Sequence, residues 1–124
     1  MQKLFLLSGA ILAGLGVAVG AFGAHALKAM LEASDRTDTF ETAVRYQFYH
    51  ALALLFIGLL LFRIDSRLLH YSGNLMLAGT LIFSGTLYIL CMTGIKWLGA
   101  ITPIGGVLMI AGWVLLALAV SREL

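Results

Sequence analysis

The chain has 124 residues, of which 61% are hydrophobic and 11% are charged, with a formal net charge of +2 at pH 7. Water-soluble domains average about 45–50% apolar and about 25% charged residues, and so short a chain cannot hide such an excess from water. The composition excludes an ordinary soluble globule, a disordered chain and, with one cysteine, a disulfide-stapled module. No basic run points to nucleic acid as a partner. We therefore expect lipid to surround the protein.

Charged residues divide the chain into four apolar runs. Stretches 4–27, 46–62, 68–95 and 97–121 contain no Lys, Arg, Asp or Glu. A helix needs about 20 mostly apolar residues to cross the hydrocarbon core, where backbone groups find no partner outside their own helix. We predict four transmembrane helices, at about 4–26, 43–62, 73–94 and 103–121. The short connections predict an all-α, antiparallel up-and-down four-helix bundle that forms one domain over residues 1–124.

The first predicted helix carries small residues at intervals of four. Gly16, Gly20 and Ala24 form one ridge, and Ala10, Gly14 and Ala18 form an adjacent one. Small side chains let helix backbones approach closely in a membrane. This helix is therefore predicted to pack closely, either against a neighbour in the chain or against a second copy in a homo-oligomer.

Two connections carry signals for helix starts. Over residues 27–32, the helical spacing of Leu27, Met30 and Leu31 predicts a further turn or two of helix lying in the headgroup plane. Asp38 and Glu41 fit a capping box that opens the second membrane helix, and Arg45 lies four residues beyond Glu41. Thr102 followed by Pro103 predicts the N-cap and first residue of the fourth helix.

The distribution of basic residues leaves the orientation nearly undetermined. Four Lys or Arg residues fall on each side of the predicted bundle. Those on the side of both chain ends are Lys3, Arg63, Arg67 and Arg122, and those on the other side are Lys28, Arg36, Arg45 and Lys96. We expect both ends in the cytoplasm of a bacterial plasma membrane protein, because the bases of the first loop are interspersed with four acids.

The antiparallel topology collects polar side chains in the leaflet of the first loop. Polar groups at membrane depth usually face a cavity or a partner. Residues of a candidate polar pocket are His25, Tyr46, Gln47, His50, Ser84, Tyr88 and Thr102. Two alternatives stay open: the tyrosines can be interfacial anchors, and the histidines can make structural hydrogen bonds. Two histidines are too few for a zinc site, and no Cys or acid completes a tetrahedral set of ligands with them, so we expect no metal and no cofactor.

Four ordered blocks of the sequence resemble a known family. They read GAFGAHAL (20–27), RYQFYHALAL (45–54), FSGTLY (83–88) and LGAITPIGG (98–106). They are similar to the signature blocks of the YgdD/YwdK-type small bacterial membrane proteins, domain-of-unknown-function family 423. The resemblance implies a four-helix protein of the bacterial plasma membrane, without an accepted activity or cofactor. The family's polar motif positions correspond here to His25, Gln47, His50, Ser84, Tyr88 and Thr102.

Three classes of function follow from these patterns. The first is a non-enzymatic membrane protein that supports membrane integrity or assembly, since nearly all of the chain is membrane span and no catalytic set is complete. The second is a small transporter or channel for a proton-coupled solute, metal or anion that uses the polar residues on the loop-one side. The third, an intramembrane enzyme, rests only on acids of the first loop near the two histidines. We favour the first, with membrane lipid as the partner.

Overall fold

The computed structural model describes all 124 residues, which form five α-helices and no strands. The helices are α1 (Gln2–His25), α2 (Lys28–Ala33), α3 (Thr37–Leu60), α4 (Arg67–Thr93) and α5 (Leu98–Glu123). All except the short α2 are long and apolar enough to cross a membrane. The predicted all-α membrane bundle of four spans is confirmed, and α2 corresponds to the extra turn of helix expected over residues 27–32.

The membrane helices extend beyond the predicted apolar spans. α3 begins at Thr37 instead of 43, α4 at Arg67 instead of 73 and α5 at Leu98 instead of 103. The predicted spans cover only the apolar part of each helix, which crosses the hydrocarbon core. A helix can continue into the headgroup region, because its polar side chains are solvated there. Glu41 and Arg45, on successive turns near the start of α3, form an ion pair of 3.2 Å in this region.

Both predicted helix caps are wrong. α3 has Arg36 as its N-cap without a side-chain capping bond, and Asp38 lies inside the first turn, where a carboxylate suits the positive end of the helix dipole. In the last helix, Thr102 and Pro103 lie one turn inside, after the N-cap Trp97. Because the helix starts at Leu98, the Leu98 side chain is buried. The Thr102 hydroxyl, one turn later, donates to the Leu98 carbonyl at 3.2 Å.

The helices pack in a fixed sequence of neighbours, with α3 and α4 at the centre. α1 packs on α3, α3 on α4, and α4 on α5. The closest approach is between α4 and α5, where both helices present a glycine. A methyl group on Gly105 would lie 2.7 Å from the Gly79 carbonyl oxygen and 2.6 Å from the Phe83 nitrogen. α1 and α5 consequently leave most of their length exposed, whereas α3 is the most buried span.

A hydrophobic cluster at each end of the bundle ties the helices together. The larger cluster joins Phe5, near the start of α1, to Ala119, near the end of α5, and to the α3–α4 connection. Both chain ends therefore lie at one end of the bundle. The Phe5 ring fills the space left by Gly73, where a methyl group would overlap the ring. At the opposite end, Leu31 of α2 packs with Phe40 and Cys91.

Candidate functional site

A hydrogen-bonded chain through Gln47 links the three helices α1, α3 and α4. The Gln47 amide nitrogen donates to the backbone carbonyl of Leu12, at 2.8 Å. Its amide oxygen accepts from the Tyr88 hydroxyl, at 2.6 Å. Gln47 is buried, with 4% of its surface exposed. Because Leu12 lies near the middle of α1, this chain is located near mid-height of the bundle, deeper than the leaflet position expected from the sequence.

His50, one turn after Gln47, points into a different interface. Its Nδ1 lies 2.7 Å from the Tyr46 carbonyl oxygen, and its Nε2 lies 3.0 Å from the Trp113 indole nitrogen of α5. A carbonyl only accepts and an indole N–H only donates, so the arrangement assigns the neutral tautomer with the proton on Nδ1. The imidazole and indole rings meet edge to face, with centroids 5.8 Å apart. Both ring nitrogens of His50 are thus engaged within the bundle.

Hydroxyl groups also connect α4 to its two neighbours, α3 and α5. Ser84 donates to the Ala43 carbonyl at 2.7 Å, between α4 and α3. Ser72 donates to the Gly112 carbonyl at 2.6 Å, between α4 and α5. The Thr86 and Thr102 hydroxyls share a hydrogen bond of 2.7 Å across the same interface. In lipid such bonds hold helices together without a hydrophobic driving force between them.

The candidate pocket residues fall into separate groups. Gln47, Ser84 and Tyr88 line one shallow, mostly apolar groove of about 270 Å³ between α1 and α4. His50 and Tyr46 lie on the side of α3 that faces α4 and α5, where Tyr46 stacks on Phe83 with ring centroids 5.0 Å apart. The two remaining residues join neither group, because Thr102 bonds within the α4–α5 interface and His25 is exposed at the end of α1.

The small residues Gly16, Gly20 and Ala24 of α1 also lie in different surroundings. Gly16 is buried, and a methyl group there would lie 2.9 Å from the Phe48 ring. A methyl group on Gly20 would lie 3.3 Å from the Val44 side chain. Both glycines therefore pack against α3 of the same chain. Ala24 is exposed and borders a second, larger cavity of about 390 Å³ among α1, α2 and α3. That cavity opens on the loop-one side, but none of the seven candidate pocket residues lines it.

Sequence reasoning missed three polar partners. Trp113, Ser72 and Thr86 all bond across helix interfaces. The sequence position of Trp113 could have indicated its role, because it lies inside an apolar run rather than at an interfacial end. An indole N–H at membrane depth requires an acceptor from the protein. Ser72 and Thr86 carried none, because a hydroxyl in a membrane helix can equally bond its own preceding turn.

Comparison with known proteins identifies the family. A family model described as "Protein of unknown function (DUF423)" matches residues 19–106. The chain belongs to this family. A UPF0382 membrane protein of Staphylococcus aureus (strain bovine RF122 / ET3-1) is 48% identical over 122 residues, which cover 98% of both chains. One of Staphylococcus haemolyticus (strain JCSC1435) is 47% identical over the same length and coverage. No solved structure gives a significant match.

The matched DUF423 region contains most of the hydrogen-bonding side chains described above. Gln47, His50, Ser84 and Tyr88 all lie inside residues 19–106. Leu12 and Trp113, their partners on α1 and α5, lie outside it. In this chain, two hydrogen-bonding partners of the matched region therefore lie outside it.

Proposed function

We propose that the protein is a non-enzymatic integral membrane protein that supports membrane integrity or the assembly of other membrane components. The observation that carries this proposal is the engagement of the deep polar side chains with one another. Gln47 bonds partners on two neighbouring helices through both of its polar ends. His50 bonds its own helix through Nδ1 and α5 through Nε2. Side chains used in this way stabilise helix packing and are not free to bind cargo.

The exposed helices supply a surface for such a role. Large apolar side chains such as Leu15 and Val17 of α1 and Val107 and Ile110 of α5 are more than half exposed. In a membrane these faces contact acyl chains or other membrane proteins. We propose lipid as the constant partner, and a bacterial plasma membrane as the location, supported by the membrane protein names of the bacterial relatives.

A clean deletion tests the proposal. We expect several envelope defects together, such as increased permeability to dyes and sensitivity to membrane stress, all restored by the wild-type chain. Complementation should fail with Gln47→Leu and succeed with Tyr71→Phe, which removes an exposed hydroxyl on α4. Normal permeability and stress resistance in the deletion strain would contradict a role in membrane integrity.

The second candidate, a small proton-coupled transporter or channel, is supported by the groove that reaches Gln47 between α1 and α4. It predicts solute-dependent proton flux in proteoliposomes that contain the purified chain. Flux lost in His50→Ala and kept in His25→Ala, whose side chain is exposed, would favour transport over the structural role. Flux equal to that of empty liposomes would exclude this candidate for the solutes tried.

Self-association through α1, expected from its small residues, would use its second ridge. Gly16 and Gly20 already face α3, whereas Ala10, Gly14 and Ala18 are exposed and a methyl group on Gly14 would contact nothing. We propose that a homo-oligomer, where it forms, brings these three residues of two copies together.

A further inference from the structure

The cavity of about 390 Å³ among α1, α2 and α3 combines a charged rim with apolar walls. Its rim holds two cations and two acids: Lys28 and Glu32 from α2, and Glu41 and Arg45 from α3. Apart from Thr37, the rest of the lining carries no polar side chain and includes Gly20, Gly23, Ala24, Leu31 and Val44. The volume falls within the range of small-molecule sites, about 300–1,000 Å³.

The position of the rim along the helices sets its depth. Lys28 is the first charged residue after the apolar run of α1, and Arg45 is the last before the apolar run of α3. Both cations therefore mark the level at which hydrocarbon gives way to headgroups, where the phosphates of lipids lie. The cavity opens at this level.

The balance of charge selects among lipid headgroups. An anionic headgroup would suit the two bases but would meet two carboxylates, whereas a headgroup with one phosphate and one ammonium matches both signs. The Glu41 and Arg45 side chains are about half exposed, and their mutual ion pair of 3.2 Å is accessible to a ligand. Quaternary ammonium groups are typically recognised by aromatic cages, and the only aromatic residue in the lining is Phe40. Carboxylates instead suit a primary ammonium, which donates hydrogen bonds.

We propose that this cavity is a binding site for a phospholipid with a phosphoethanolamine headgroup. Lys28 and Arg45 bind the phosphate, Glu32 and Glu41 accept hydrogen bonds from the primary ammonium, and the apolar walls contact the glycerol and upper acyl chains. This site is independent of the Gln47 hydrogen-bonded chain and goes beyond the proposed structural role.

Native mass spectrometry of the full chain in detergent tests the site with three lipids of matched acyl chains. Phosphatidylethanolamine should bind about tenfold more tightly than phosphatidylcholine or phosphatidylglycerol. Equal binding of the choline lipid would overturn recognition of the primary ammonium. Tighter binding of the glycerol lipid would overturn the role of the acids. Displacement by equimolar glycerophosphoethanolamine, which lacks acyl chains, would overturn the assignment to a membrane lipid.

Charge-neutral variants locate the site. The double variant Lys28→Gln/Glu32→Gln should bind phosphatidylethanolamine about tenfold more weakly and so lose the preference for this lipid. The matched control combines Lys96→Gln with Asp38→Asn, two changes at the same end of the bundle that do not line the cavity, and should keep the preference. Loss of the preference in both double variants, or in neither, would overturn the proposal.

A variant that fills the cavity provides a second test without changing charge. Ala24→Phe places a ring in the opening and should abolish the preference, whereas Ala21→Phe, at an exposed position of the same helix that does not line the cavity, should keep it. Far-ultraviolet circular dichroism and elution volume establish that each variant is folded. A folded Ala24→Phe variant with wild-type preference would place the lipid elsewhere.

Discussion

The Tyr88 hydroxyl donates a 2.6 Å hydrogen bond to the amide oxygen of Gln47, a residue 41 positions earlier on the neighbouring helix. The same amide donates to the Leu12 carbonyl of a third helix, at 2.8 Å. One side chain thus joins α1, α3 and α4, in an environment where no water replaces a lost partner. The contribution of these hydrogen bonds to the stability of the bundle can therefore be measured directly.

The Gln47–Tyr88 bond should appear as a coupling energy in a double-mutant cycle. Gln47→Leu leaves the Tyr88 hydroxyl unpaired and removes the additional hydrogen bond to the Leu12 carbonyl, which keeps its helical partner. Tyr88→Phe leaves the Gln47 oxygen unpaired, so the double variant should lose less stability than the sum of the singles. We expect a coupling of about 0.6–1.7 kcal/mol, as for other hydrogen bonds between membrane helices. Reversible unfolding in mixed micelles measures it. Additive losses would contradict the bond, and Tyr71→Phe, at an exposed position of α4, is the control.

The His50–Trp113 pair predicts the protonation state of the histidine ring. Because Nε2 accepts from the Trp113 indole N–H, the ring should remain the neutral Nδ1–H tautomer near pH 7. Nitrogen-15 chemical shifts of the labelled protein in micelles report the tautomer directly. The exposed His25 serves as the internal control, with a mixture of tautomers. Detection of a proton on Nε2 of His50 would contradict the pairing, and Trp113→Phe should change the shift of that nitrogen.

The glycine contact between α4 and α5 predicts a position-specific loss of stability. A methyl group at Gly105 would meet backbone atoms of Gly79 and Phe83 at 2.7 Å or less, so Gly105→Ala should destabilise the fold by about 1–3 kcal/mol. Gly106→Ala is the matched control, because its methyl group would come no nearer than 3.9 Å to Phe83. The control should be neutral or slightly stabilising, since alanine favours helix. Equal unfolding curves for the two variants would refute the close approach.

The two small-residue ridges of α1 separate folding from self-association. Gly16→Leu should disrupt the α1–α3 contact, because even a methyl group would lie 2.9 Å from the Phe48 ring. Gly14→Leu should leave the monomer folded and weaken association between copies, measured by energy transfer between labelled chains in liposomes. Unchanged energy transfer in Gly14→Leu would contradict an oligomer formed through this face.

Cysteine labelling tests the orientation in intact bacteria. The native Cys91 is buried and can be replaced by alanine to remove any background. Ser34→Cys, just after α2, should react with a membrane-impermeant maleimide from outside, and Ser121→Cys, near the end of α5, should react only after permeabilisation. The reverse pattern would place the chain ends outside the cell and the lipid-binding cavity on the cytoplasmic side.

The sequence predicted the four spans correctly because lipid leaves the chain few alternatives. Charge-free runs long enough to cross a bilayer must form helices, and short connections make neighbours antiparallel. Helix starts were less predictable: Thr102 and Pro103 form a favourable local start, yet α5 begins earlier, at Leu98, which is buried. Tertiary burial outweighed a capping signal that is worth about 1 kcal/mol.

The partners within the bundle were harder to predict than its helices. Gln47 and His50 are three residues apart, which suggested one shared face, but Gln47 faces α1 and α4 whereas His50 reaches α5. Which neighbour a side chain meets depends on the rotation of each helix about its own axis. That rotation is set by the glycines at the close contacts, such as Gly79 and Gly105, and one sequence does not show which glycines face inward.

The neutral His50 ring has a consequence for how the protein responds to voltage. Moving one elementary charge through the membrane potential involves about 2.3 kcal/mol per 100 mV. Between Arg45 and Arg63 no side chain of α3 is ionised when His50 is neutral. The deep part of the bundle then contains no charge on which the membrane potential could act. Energised and depolarised cells should therefore contain the same conformation of this protein.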